Sequence, residues 1–437
     1  MHPFLLNDIL IIILLSVVVL YGCHRMRLPI IVGFLLTGVI AGPHGFALVR
    51  EIEAVKTLAE AGIVLLLFTI GMEFSFRSLL QIRKTVLLGG SLQIALTILA
   101  GFAAARLFGY SFNEAVFAGF LLSLSSTAIV MKTLQDRAEM ETPQGNAALG
   151  ILIFQDMAAV PMMLLVPLLA GTSQGEGGSP VLLAAKIVGI VFLVPVLSKW
   201  LVPRIFYAIA KTRSRELFLI TTIALCMAVA WLTYKAGLSL ALGSFLAGLI
   251  ISESEYSHQA LGDILPFRDV FTSFFFVSIG MLLDIGFFLQ HPLFLFLAAL
   301  CVVILKAVVA GAAAFFSGLP LRSAIVAGIA LGQVGEFSFI LSETGVPYSL
   351  VSGNTYQAFL AVSILTMMAT PSLIAAAPAI AEKVSRLPLP RSLKQGMTSE
   401  RRGKNAPLEN HLVIVGFGLN GKNLTRAARI AGLPYMI

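Results

Sequence analysis

Val32-Gly33-Phe34-Leu35-Leu36-Thr37-Gly38-Val39-Ile40 returns 210 residues later as Leu242-Gly243-Ser244-Phe245-Leu246-Ala247-Gly248-Leu249-Ile250. Two further pairs follow in order. Thr69-Ile70-Gly71-Met72 matches Ser278-Ile279-Gly280-Met281, and Ala115-Val116-Phe117-Ala118-Gly119 matches Ala324-Ile325-Val326-Ala327-Gly328, each at an offset of 209. One such match in a chain rich in Gly, Ala and Leu means little. Three in order at a nearly constant offset read as an internal repeat.

The segments between these matches fix the setting of the repeat. The chain is 58% hydrophobic and 12% charged over 437 residues, outside the range of soluble domains. Apolar runs of span length recur at 4–22, 29–43, 56–73, 85–106, 113–132, 146–170, 181–198, 216–235, 238–252, 266–283, 293–316, 322–343 and 355–377, giving thirteen expected spans, the second and ninth short enough to be bent or interrupted. The first run lacks a preceding basic region and reads as a retained span. The expected class is an all-α polytopic membrane protein surrounded by lipid. The repeat offset equals seven spans, an odd number, so the second copy is inverted relative to the first. Two six-span copies joined by one span describe a secondary transporter with its site at the repeat interface.

Lys and Arg set the expected orientation. Fourteen fall in the connections after odd-numbered spans and four in those after even-numbered ones. The excess places the N-terminus outside and the C-terminus in the cytoplasm, in a plasma (bacterial inner) membrane. The net charge of +8 follows from this asymmetry and calls for no nucleic acid. Three cysteines and six histidines form no disulfide framework or metal-ligand spacing.

Asp156 is the residue most costly to this composition. It sits in Gly150-Ile151-Leu152-Ile153-Phe154-Gln155-Asp156-Met157-Ala158-Ala159, and a carboxylate at the centre of a spanning helix costs roughly 2.5–3.5 kcal/mol. Such a group lines a cavity, pairs within the bundle, or carries an ion. A carboxylate that holds either a proton or a metal cation has the minimum chemistry of a cation/proton exchanger.

Ser123-Leu124-Ser125-Ser126-Thr127 interrupts the fifth span, and Gly332-Gln333-Val334-Gly335-Glu336 interrupts its repeat mate, the twelfth. Polar and glycine-rich interruptions at matching places in both copies predict crossed, discontinuous helices, whose freed carbonyls and hydroxyls suit a partly dehydrated cation. Ser125, Ser126 and Thr127 are the expected ligands alongside Gln155 and Asp156. Gln333 and Gly335 belong to the crossing. Lys306, mid-span, either pairs with Asp156 or neutralises the carbonyl end of a broken helix. Glu336 balances a helix N-terminus or pairs with a buried base. Glu60 and Glu73, near span ends, read as interfacial.

The composition changes after residue 378. Residues 379–410 read as a cytoplasmic linker, separating a transporter domain (1–378) from His411-Leu412-Val413-Ile414-Val415-Gly416-Phe417-Gly418-Leu419-Asn420-Gly421. This strand, GxGxxG turn and helix over 411–437 reads as the start of a Rossmann-like nucleotide-binding domain, with Gly416, Gly418 and Gly421 at the phosphates. Most of that domain is expected to lie beyond this sequence, and the nucleotide would be regulatory, not catalytic.

Gly33–Gly38, Leu66–Glu73, Ser125–Ala128, Phe154-Gln155-Asp156, Phe276–Met281 and Gly332–Phe337 together resemble the second monovalent cation:proton antiporter family, and within it the Kef-type potassium-efflux antiporters, which share the sodium/proton exchanger fold. The resemblance covers residues 4–377. It implies a homodimer, an elevator-like core moving against a dimerisation domain, and Asp156 as carrier of potassium and protons. Gln155 stands where electrogenic relatives carry a second acid, which implies one-for-one, electroneutral exchange without enzymatic activity. Sodium/proton exchange on the same fold is the alternative. A nucleotide-gated potassium channel would need a TVGYG-like filter, and a nicotinamide oxidoreductase would need a complete nucleotide domain.

Overall fold

The computed structural model describes residues 3–73, 84–170, 200, 202–235, 240–252, 254–386, 388, 411–416 and 419–436. The seventh expected span, most of the linker and Gly418 lie outside these.

The helices are α1 (Pro3–Arg25), α2 (Ile30–Ala41), α3 (Ile52–Glu73), α4 (Lys84–Leu107), α5 (Phe112–Ser123), α6 (Thr127–Asp136), α7 (Pro143–Leu169), α8 (Val202–Ala210), α9 (Arg215–Lys235), α10 (Leu240–Ser252), α11 (Ser257–Met281), α12 (Ile285–Gln290), α13 (Pro292–Phe316), α14 (Leu321–Ala330), α15 (Glu336–Gly345), α16 (Gly353–Ser385) and α17 (Leu419–Ile430). Among the described residues nine helical segments are long and apolar enough to cross a membrane, and three shorter apolar ones cover Ile30–Ala41, Leu240–Ser252 and Leu321–Ala330. The chain is a multi-pass membrane protein. The second and ninth expected spans are short but unbroken helices, α2 and α10.

The repeat is visible in the packing. α2 lies on α11 and α3 lies on α10. Gly38 faces Gly280 so closely that a Cβ on either would strike the opposite backbone, and Gly71 faces Gly248 in the same way. The repeat equates Gly38 with Gly248 and Gly71 with Gly280, so one contact is the copy of the other. Small residues let helix backbones approach without side chains between them. This is why glycine recurs at these four places.

Two bundles result. α1, α2, α3, α9, α10 and α11 pack together, while α4, α5, α6, α7, α13, α14, α15 and α16 form the other. They meet along an apolar seam. Val32, Leu35, Leu242, Phe275 and Ile279 from the first share one buried cluster with Met163, Ile340, Leu341 and Met367 from the second. Asp8 of α1, 2% exposed, accepts the N–H groups of Arg50 (3.1 Å) and Glu51 (2.8 Å) and so serves the start of α3 from a distant helix.

α16 continues to Ser385 through Pro371 and Pro378, so the expected boundary at 378 falls inside a helix. Ala377 and Ala381 pack with Val326 of α14, and that burial holds the helical path where proline removes a backbone donor.

At the C-terminal end, β1 (Leu412–Val413) pairs in parallel with β2 (Tyr435–Met436), and α17 connects them. Parallel neighbours require such a crossover. Gly416 has φ +94°, in the region that favours glycine, and Gly421 packs against the Gly416 carbonyl.

Candidate functional site

The helix breaks fall where the polar residues do. α5 stops at Ser123 and α6 starts at Thr127, while α14 stops at Ala330 and α15 starts at Glu336. The extended segments between them cross. Gly335 N–H donates to the Leu124 carbonyl (3.0 Å), and Ser125 Oγ donates to the Leu331 carbonyl (2.9 Å). Ser338 Oγ reaches the Leu121 carbonyl at 2.7 Å. Gln333 Nε2 points to the Ser126 carbonyl at 3.4 Å, and Val334 N–H donates to Thr366 Oγ1 at 3.2 Å. Backbone groups freed by each break are thus taken up largely by the other break, as an apolar interior demands.

Gly335 is fixed by this geometry. A Cβ there would lie 2.6 Å from the Ser125 carbonyl oxygen and 2.8 Å from the Ser126 nitrogen. Gly335→Ala is expected to force the two segments apart and destabilise the protein by about 1–3 kcal/mol. Thermal melting in detergent checks this, and an unchanged midpoint would show that the crossing yields.

Broken helices expose charged ends. Lys306 of α13, fully buried, donates from Nζ to the carbonyls of Leu122 (2.6 Å) and Leu124 (2.7 Å), at the C-terminal end of α5. Of the two roles open to it, the geometry supplies the carbonyl end. At the start of α6, Ser126 Oγ accepts from Ile129 N–H at 3.3 Å. The Glu336 carboxyl faces the Ser126 hydroxyl, the Ala128 N–H and its own N–H, at the N-termini of α6 and α15. A cation at the carbonyl end and a carboxyl at the amide ends oppose the helix dipoles.

Asp156 of α7 stands beside this crossing. The Thr127 hydroxyl reaches both its carboxylate oxygens, at 3.0 and 2.9 Å. Asp156 and Thr127 are half-buried and Ala128 is exposed, so the carboxylate is enclosed by protein on most sides without being sealed. The charges of Glu336 and Glu73 both act on Asp156. Glu73 is exposed at the end of α3, and its charge reaches the site all the same.

Gln155, by contrast, is sealed. Its Oε1 accepts from Ser125 N–H (2.8 Å) and its Nε2 donates to Gln93 Oε1 (2.7 Å). Gln93 in turn donates to Thr97 Oγ1 and the Ser123 carbonyl. The structure brings Gln155, Asp156, Ser125, Ser126, Thr127, Lys306, Gln333, Gly335 and Glu336 to one crossing. Gly416 and Gly421 lie together elsewhere in the chain. Sequence reading missed Gln93, Ser338 and Thr366. Gln93 had the signal that identified Asp156, a polar side chain inside an apolar run. Ser338 and Thr366 are hydroxyls on helices that hold many.

The family model for the sodium/hydrogen exchanger, transmembrane, matches residues 10–377. YbaL of Escherichia coli K12 is 33% identical over 428 residues, covering 95% of this chain and 75% of that protein. K(+) efflux antiporter 4 of Arabidopsis thaliana is 35% identical over 86% of this chain, which spans 64% of its length. The glutathione-regulated potassium-efflux system protein KefC of Cronobacter sakazakii is 31% identical over 94% of this chain, which spans 65% of its length. The solved sodium proton antiporter MjNhaP1 of Methanocaldococcus jannaschii has the same fold, with a TM-score of 0.62 at 15% identity over 86% of this chain and 96% of that one. By its match across nearly the whole membrane-spanning region, the chain belongs to the sodium/hydrogen exchanger family of membrane transporters.

Proposed function

We propose that this chain is the membrane part of a potassium/proton antiporter in which Asp156 carries potassium and protons in turn. The observation that carries the reading is the position of the carboxylate. It lies half-buried at the crossing of two broken helices, with the Thr127 hydroxyl bonded to both its oxygens. A partly dehydrated cation would find Asp156, the Thr127 hydroxyl and the carbonyls of the break. A proton on Asp156 would displace it, giving one proton for one cation and no net charge moved. Gln155, held by Ser125 and Gln93, contributes by fixing the break next to the ligands. Potassium is favoured over sodium by the potassium-efflux proteins among the relatives.

Alternating access follows from the apolar seam. Two bundles joined by side-chain packing can slide with little loss of polar contact, an elevator-like motion. With the N-terminus outside, a cavity between them lined by Glu60, Met163, Ile340 and Glu343 opens to the exterior. In this reading the protein works as a homodimer in the plasma membrane, and the β-α-β unit at 411–437 belongs to a regulatory nucleotide-binding domain.

Proton flux in proteoliposomes tests the function. A pH-sensitive dye inside the vesicles is expected to respond to a potassium gradient. A response to sodium alone would transfer the assignment to sodium/proton exchange, and no response to either would remove the antiporter reading.

A further inference from the structure

α8 has two faces, and only the inner one is packed. Val202 and Phe206, four residues apart, are fully buried. Phe206 lies on Phe218 of α9, with ring centroids 5.1 Å apart, and on Tyr256 just before α11, at 6.0 Å. These contacts set the rotation of α8 and so decide what it presents outward. Trp200, Arg204, Tyr207 and Lys211 follow one another at spacings of four, three and four, which stack on one side of a helix. The Lys211 N–H donates to the Tyr207 carbonyl (3.2 Å), so the helical path holds to the last of them.

The outer side is bare. Trp200 is 65% exposed and Tyr207 56%, and Arg204 and Lys211 are exposed with them. Each cation lies over the ring that precedes it, Arg204 over Trp200 at 5.3 Å and Lys211 over Tyr207 at 4.4 Å. A cation held over a ring face still has N–H groups to offer a second partner. No acid answers this charge. α8 contains none, and among the described residues no carboxylate forms an ion pair with Arg204, Lys211 or the exposed Arg213 of the following turn. Glu216, at the start of α9, accepts from Ser214 Oγ (3.0 Å), and Asp263 of α11 is taken by Arg215 (2.7 Å).

The place of α8 identifies what this face meets. α9 is long and apolar enough to cross a membrane, so its first residue, Arg215, marks one membrane edge. α8 is packed against the first turn of α9 and, at nine residues, is too short to cross. It therefore lies along the interface, where aromatic rings settle at the headgroup level and Arg and Lys reach outward from them. α1 ends in the same manner on the side that the Lys and Arg distribution assigns to the cytoplasm, with Arg25 over Tyr21 at 5.9 Å. A zwitterionic headgroup would cover the rings and leave the cations without countercharge. An anionic headgroup supplies both contacts.

We propose that the outer face of α8 binds the headgroups of anionic phospholipids, with Arg204 and Lys211 on the phosphate and Trp200 and Tyr207 at the boundary with the acyl chains. The surface belongs to the bundle of α9 and α11 and uses none of the residues at the crossing. The inference therefore stands or falls apart from the transport reading.

Trp200 is one of two tryptophans, so Trp231→Phe leaves it the only indole in the chain. This variant is reconstituted in vesicles with phosphatidylglycerol as the minor lipid and phosphatidylcholine as the major one. Bromine is placed on the acyl chains of one lipid or of the other, where it quenches an indole in contact with it. Quenching by brominated phosphatidylglycerol is expected to reach at least about twice the value its mole fraction gives. Adding Arg204→Gln and Lys211→Gln is expected to return it to the mole-fraction value. Quenching at that value before the two substitutions, or an excess that survives them, overturns the proposal. No quenching from either lipid also overturns it, and would assign the face to a second copy of the chain or another protein. Should the substituted chain fail to fold, salt decides on Trp231→Phe alone. The excess is expected to shrink as salt is raised, and an excess indifferent to salt overturns the proposal.

Discussion

Asp156→Asn is expected to abolish cation-driven proton exchange and leave the fold intact. The amide has the shape of the acid and still accepts from the Thr127 hydroxyl, which reaches both carboxylate oxygens in the wild type. What it lacks is the ability to take up a proton or balance a cation. Flux should fall by at least about 100-fold, equivalent to about 2.7 kcal/mol on the transport barrier. Stability should move the other way. A charge at the centre of a spanning helix costs roughly 2.5–3.5 kcal/mol, and the amide removes part of that cost. Flux and melting measured on one preparation therefore give a signature no packing mutant shares: an inactive protein that melts at or above the wild-type temperature. Flux persisting in the variant would make the residue structural, and the carrier would lie elsewhere.

Lys306→Met should behave in the opposite manner. It leaves the Leu122 and Leu124 carbonyls without the ammonium they share, at the end of a helix inside the bundle. The bare Leu122 carbonyl costs about 1–3 kcal/mol, while the Leu124 carbonyl keeps the Gly335 N–H, and the loss is partly offset because methionine carries no buried charge. A net loss of about 1–2 kcal/mol is expected on that basis, seen as early melting, with exchange falling as the crossing loosens. Lys306→Gln keeps a donor and should recover part of the loss. If Lys306→Met melts like wild type and fails only in exchange, the lysine acts on the transported ion and not on the helix end.

The repeat was readable because symmetry leaves its mark on glycine. Gly38, Gly71, Gly248 and Gly280 recur at fixed offsets where backbones touch, and no other side chain fits such contacts. The helix breaks were readable for a related reason. Ser125-Ser126-Thr127 and Gln333-Val334-Gly335 are polar or flexible in the middle of apolar runs, so lipid-facing regularity could not be their purpose. Gln93 gave the same signal, and its role needed the partner it holds, Gln155, at 62 positions' remove. The change in composition placed the domain boundary at 378, inside a helix that the burial of Ala377 and Ala381 carries on to Ser385.

The sequence by itself determined that this is a multi-span membrane protein built on a repeat, with one costly acid, Asp156, and two interrupted helices. Those conclusions rest on transfer free energies and periodicity, which are local properties of a chain. Only the tertiary structure decided who satisfies whom. It assigned Lys306 to the carbonyls of α5, bound Gln155 to the backbone of the break and, among the described residues, left Gln333 Oε1 and Glu336 Oε2 unpaired in the second break. Hydrogen bonds and Coulomb forces act over a few ångströms in space. Residues 180 to 210 positions apart in the chain meet at that range only once both repeats have packed.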